Sequence, residues 1–97
     1  MEIEVLETAE YGRWFGRLQD ARARARIDAR IRRLALGNLG DWRVVAGIVS
    51  ELRIDYGPGY RVYFAWRDLS SVVLLTGGDK NSQRRDVKRA KQLARWI

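Results

Sequence analysis

Ninety-seven residues and 11.3 kDa allow one domain. The chain is basic, with 19 Lys and Arg against 12 Asp and Glu, a net charge of +7, and 16 of the 19 cations are Arg. It has no Cys and no His, which excludes disulfides, thiolate metal sites, thiol nucleophiles and imidazole catalysis.

Residues 2–6, Glu-Ile-Glu-Val-Leu, alternate polar and apolar and predict a half-buried strand. This acidic start lacks the basic and apolar regions of a signal peptide, and the longest uncharged apolar run, 69–78, is about half a membrane span. A cytoplasmic protein with no membrane partner is expected. Thr8 is a candidate N-cap for a helix whose apolar face is Tyr11, Trp14, Phe15 and Leu18. Asp20 is the candidate cap of a second helix. Its apolar stripe is Ala23, Ile27, Ile31 and Leu34, its basic stripe Arg22, Arg26, Arg30 and Arg33, and Gly37 is its stop. The short break between the two predicts a helical hairpin.

After Gly40 the period becomes two. Val44-Val45 is a candidate short strand, and 48–54 a longer one. Tyr56-Gly57-Pro58-Gly59 is a turn, 60–66 a strand, 67–70 a second turn, and 71–76 a central strand ended by Gly77-Gly78. Ser82 is the candidate cap of a last helix that turns Val87, Ala90, Leu93, Ala94 and Ile97 inward. The order β-α-α-β-β-β-α predicts an α+β class. The expected sheet is twisted and mainly antiparallel, with the helical hairpin on one face, a C-terminal helix, and one domain over 1–97.

Charge is unevenly spread. Residues 1–20 carry −3, residues 21–67 carry +6 and residues 68–97 carry +4. The helical stripe reads most simply as a solvated face. The strand arginines are more informative. Alternation sets Leu52, Ile54, Val62 and Phe64 on one face, and Arg53, Arg61 and Tyr63 on the face away from the first two helices. Lys80 lies at the mouth of that face. Arg84 and Arg85 follow in the first turn of the last helix, where cations oppose the helix dipole. Cations interleaved with Trp42, Tyr56, Tyr60 and Tyr63 suit RNA, because guanidinium groups clamp phosphates and rings stack on unpaired bases. The alternative for the strand arginines is cross-strand pairing with Glu51 or Asp55.

The stretch Glu51-Leu52-Arg53-Ile54-Asp55-Tyr56-Gly57-Pro58-Gly59-Tyr60-Arg61-Val62-Tyr63-Phe64 resembles the HigB-type branch of the RelE/ParE toxin superfamily. So does Leu74-Leu75-Thr76-Gly77-Gly78-Asp79-Lys80-Asn81-Ser82-Gln83. With the element order, the resemblance spans essentially the whole chain. It implies a RelE-like fold and a type II toxin neutralised by a helix-turn-helix antitoxin, which alone would contact operator DNA. It further implies cleavage of mRNA on the ribosome by attack of the RNA 2′-OH on its own 3′ phosphate, without cofactor or metal. By the resemblance, Arg61 meets the scissile phosphate, Arg53 holds a phosphate or activates the nucleophile, and Lys80 is a further cation. Tyr56, Tyr60, Arg84, Arg85 and Lys88 are the expected RNA-binding residues. Family members carry a Tyr or His in the last helix, where this chain reads Asp86-Val87-Lys88-Arg89. That leaves proton transfer to Tyr63, Lys80 or Asp79, with Arg61 expected to lower the Tyr63 pKa. The same resemblance admits a ParE-like gyrase inhibitor. The basic surface alone also admits a non-catalytic module that binds RNA or an acidic partner.

Overall fold

Thr8 starts the first helix as expected: its Oγ1 accepts from the Tyr11 N–H at 3.0 Å and donates to the Leu75 carbonyl at 2.7 Å. Asp20 caps the second, accepting from the Arg22 and Ala23 N–H groups. Gly37 follows that helix at φ +89°, a conformation that glycine adopts without steric penalty. The computed structural model describes residues 2–97 and orders them as β1 (Glu4–Glu7), α1 (Ala9–Arg17), α2 (Ala21–Ala35), β2 (Trp42–Ala46), β3 (Val49–Ile54), β4 (Tyr60–Asp68), β5 (Ser71–Gly78), a 3-10 turn (Lys80–Ser82) and α3 (Gln83–Ala94).

The strands form one sheet in the order β1-β5-β4-β3-β2. β1 pairs parallel to β5, and every other pairing is antiparallel. Alternation along β3 and β4 produces two cores. Leu52, Ile54, Val62 and Phe64 face the helical hairpin and pack with Tyr11, Ile27 and Leu34. Val49, Tyr63, Ala65, Val73 and Leu75 face α3 and pack with Ala90 and Ala94. The mixed α+β architecture and the placement of the helices agree with the sequence reading. No helix among the described residues is long and apolar enough to cross a membrane.

Four local expectations are corrected. Val44-Val45 belongs to a full five-residue edge strand, so four strands follow the hairpin rather than three. β5 runs through Gly77 and Gly78, which pair with Val62 and Arg61. Ser82 makes no side-chain bond to the free N–H groups of α3. Asp79 instead caps the preceding 3-10 turn, accepting from Asn81 and Ser82, while Ser82 Oγ accepts from the Asp79 N–H. Ile97 lies beyond α3 and is exposed.

Candidate functional site: two clefts at the end of the sheet

Arg53 and Arg61 are directly opposed across β3 and β4, and both point to the α3 side. α3 begins only at Gln83. Its first turn covers Glu51 and Tyr63, while Arg61 keeps 13% and Arg53 36% of its side chain exposed. A cleft of about 500 Å³ opens there, lined by Asp41, Arg53, Asp55, Arg61, Lys80 and the Gly57-Pro58-Gly59 turn. Three of the four expected catalytic residues therefore share one cleft.

Each arginine is held from behind. Arg53 Nη2 donates to Asp41 Oδ1 at 2.7 Å. The loop carrying Asp41 is itself gripped by Arg30, whose guanidinium donates to the carbonyls of Leu39 (3.2 Å), Asp41 (3.0 Å) and Arg53. Burial holds the Arg30 pKa below its ordinary value. Arg61 lies beside Glu51, with Nε 3.8 Å from Oε1. Glu51 is fully buried and accepts from Arg43 Nε at 2.8 Å and from Gln83 Nε2 at 2.9 Å. The carboxylate thus accepts two hydrogen bonds, from β2 and α3, and lies beside the guanidinium of Arg61 on β4.

Tyr63 is not part of the open site. It is fully buried under α3, and its hydroxyl has no hydrogen-bond partner among the described residues. Burial, with Glu51 and Asp86 nearby, pushes its pKa well above the usual tyrosine value. Arg61 and Arg43 oppose that shift and are outweighed. Arg61 thus acts in the expected direction, but the net pKa is raised rather than lowered, because α3 buries the ring.

The expected RNA-binding residues are dispersed. Tyr56 donates to the Asp20 carboxylate at 3.1 Å and lies under Arg26, whose guanidinium carbon is 4.8 Å from the ring centroid. Arg84 lies on the β2 side of α3, and Lys88 is exposed on that helix. Tyr60 and Arg85 line a second cleft of about 730 Å³ between α1, β5 and α3. Its wall includes Trp14, and its rim Arg13, Arg17 and Arg89. Arg89 is tied to Glu10 through Nε and Nη2 at 2.7–3.0 Å. The floor is Gly77-Gly78. A Cβ on Gly77 would meet the Trp14 ring at 2.3 Å, and one on Gly78 would meet Asp86 Oδ2 at 1.8 Å.

Sequence reasoning missed Asp41, Arg30, Trp14 and Asp86. The sequence puts Arg30 in a solvated stripe, and only its nearness to three carbonyls distinguishes it from its neighbours. The sequence presents Glu51 only as a cross-strand partner of the arginines. The signal for its burial is that strand alternation puts it on the same face as Tyr63.

A five-stranded sheet with a helical hairpin on one face and a single helix on the other is consistent with a RelE-like α+β fold. The family model for phage-derived Gp49-like proteins (DUF891) matches residues 13–95, and the chain belongs to that family, one of toxin–antitoxin toxins related to the RelE type. Such a family implies an antitoxin partner. An uncharacterized protein of Haemophilus influenzae strain Rd is 46% identical over 97 residues, covering 100% of this chain and 98% of the relative.

Proposed function

We propose that the chain is the toxin of a toxin–antitoxin pair and a HigB-like endoribonuclease that cleaves mRNA on the ribosome. The observation that carries this reading is the convergence of Arg53, Arg61 and Lys80 on one open cleft. In the proposed reaction the 2′-hydroxyl gives up its proton to solvent as its oxygen attacks the adjacent phosphorus, the P–O5′ bond breaks, the departing O5′ takes up a proton, and a 2′,3′-cyclic phosphate and a 5′-hydroxyl form. The protein has to hold the phosphate in line and stabilise the charge that accumulates on it. Arg61, backed by Glu51, is assigned to the scissile phosphate. Arg53, backed by Asp41, is assigned to the attacking side or a flanking phosphate, and Lys80 to the leaving oxygen. With Tyr63 buried and its pKa raised, Lys80 is the preferred proton donor.

Arg61→Ala tests the assignment. Loss of one charge-stabilising donor typically costs about 10²–10³ in kcat. The variant should lose about that much cleavage in a ribosome-programmed assay and should relieve growth arrest on induction, with unchanged antitoxin binding. Full toxicity would overturn the assignment. Arrest with intact mRNA and inhibited DNA supercoiling would move the chain to the gyrase-inhibitor class.

A further inference from the structure

We infer that the larger cleft beside Trp14 and Tyr60 is a nucleobase subsite, taking the base of an RNA residue next to the phosphate held at Arg53 and Arg61. The inference rests on the RNA reading above and extends it to a surface that reading does not use.

The two clefts share a ridge. Tyr60 and Asp79 line the larger one, and the next residues, Arg61 and Lys80, line the smaller. A strand of RNA crossing that ridge puts a phosphate on one side and the neighbouring base on the other. The larger cleft has the chemistry for a base. Trp14 and Tyr60 form an aromatic wall, with ring centroids 6.5 Å apart and planes at 65°. Trp14 is seated on the bare backbone of Gly77, where no side chain would fit, so the wall is set before any ligand arrives. Sequence-tolerant stacking on such rings is the usual way single strands are held.

The charges point the same way. Of the acidic groups in the cleft, Glu10 is paired with Arg89 and Asp86 lies 3.8 Å from Arg85, while Asp79 is hydrogen-bonded by the neutral N–H groups of Asn81 and Ser82. Arg13 and Arg17 on the rim have no ion-pair partner among the described residues. The lining carries four arginines against three carboxylates, a net charge of +1, and Arg13 and Arg17 are the cations placed to meet the backbone of a bound nucleotide.

The test is a binding cycle on the full chain with a non-cleavable 2′-O-methyl trinucleotide and its three single-abasic versions. Wild-type affinity should fall about tenfold when one particular base is removed, within the range for base stacking on an aromatic. In Tyr60→Leu the same removal should cost less than twofold. Arg13→Gln/Arg17→Gln, which changes only exposed groups, should weaken all four ligands alike and reduce the log–log salt slope by about 1. Equal abasic penalties in wild type and Tyr60→Leu, or no trinucleotide binding at all, overturn the subsite. The ribonuclease reading fails separately: a chain that shows the base cycle but cleaves no RNA on ribosomes keeps the subsite and loses the reaction, and a cleaving chain without the cycle does the reverse.

Discussion

Glu51 is a carboxylate with no exposed surface, and its removal gives the sharpest stability test of the site. In Glu51→Ala, Arg43 is half exposed and turns to water, so its loss contributes about 0–1 kcal/mol. Arg61 and Gln83 are less free to do so, although Arg61 borders the open cleft and Gln83 is half-buried. Arg61 Nε is already buried without a hydrogen bond, and Glu51 is the only carboxylate within 4 Å of it among the described residues. Leaving a part-buried cation and the Gln83 amide without their acceptor costs about 1–3 kcal/mol, against about 5–15 kcal/mol for a whole domain. At about 4–8 °C per kcal/mol, even the lower figure lowers the melting temperature by about 4–8 °C. Urea unfolding followed by tryptophan fluorescence should give this loss with an unchanged denaturant slope. Glu51→Gln keeps the shape and one acceptor and should lose less than Glu51→Ala. The sign of a double substitution is more demanding. Glu51→Leu/Arg61→Met removes both charges together and should be more stable than Glu51→Leu alone. If Glu51→Ala costs under about 1 kcal/mol, or the double variant is the less stable, the carboxylate is not what supports Arg61.

Arg30→Lys should cost about 1.5–3 kcal/mol, because one ammonium cannot reach three carbonyls. It should also raise amide exchange in residues 39–41 before it affects the rest of the sheet. Gly78→Ala forces a Cβ to within 1.8 Å of Asp86 Oδ2 and should destabilise by about 1–3 kcal/mol. Asp86→Ala in the same chain should recover part of that loss, and strictly additive effects would show that the clash is relieved elsewhere. Glu10 is held below its ordinary pKa of 4.5, chiefly by the hydrogen bonds from Arg89. A depressed carboxylate stabilises the fold above its unfolded pKa and ceases to do so as pH falls through the lower, folded one. Thermal melts of Glu10→Gln should therefore fall below wild type at pH 6 and converge with it as pH falls below 4.5.

The faces of the strands were legible because alternation is a local property. Leu52, Ile54, Val62 and Phe64 could be assigned to one side, and Arg53 and Arg61 to the other, from period alone. What covers a face is not local. Tyr63 and Arg61 lie two residues apart on the same side of β4, and only the starting point of α3 makes one core and the other cleft. Arg30 was illegible for a related reason. Its helical position matches that of Arg22, Arg26 and Arg33, and its distinct role comes from a loop that folds back 9–11 residues later. Trp14 reads as an ordinary member of an apolar stripe. That part of it borders a cleft follows from the side-chain-free Gly77 against which it packs.

Among the described residues β1 has no sheet partner other than β5, to which it pairs through residues 71–74. The first strand made therefore waits for the last. A growing chain that stops before residue 80 contains Arg53 and Arg61 but lacks Lys80, the Gln83 amide beside Glu51, and the helix that makes one wall of the larger cleft. The larger cleft gains its α3 wall, and the smaller one its lysine, only when the final fifth of the sequence has been added and folded back. The order of synthesis thus sets the strand arginines in place before the lysine and the α3 wall that complete their surroundings.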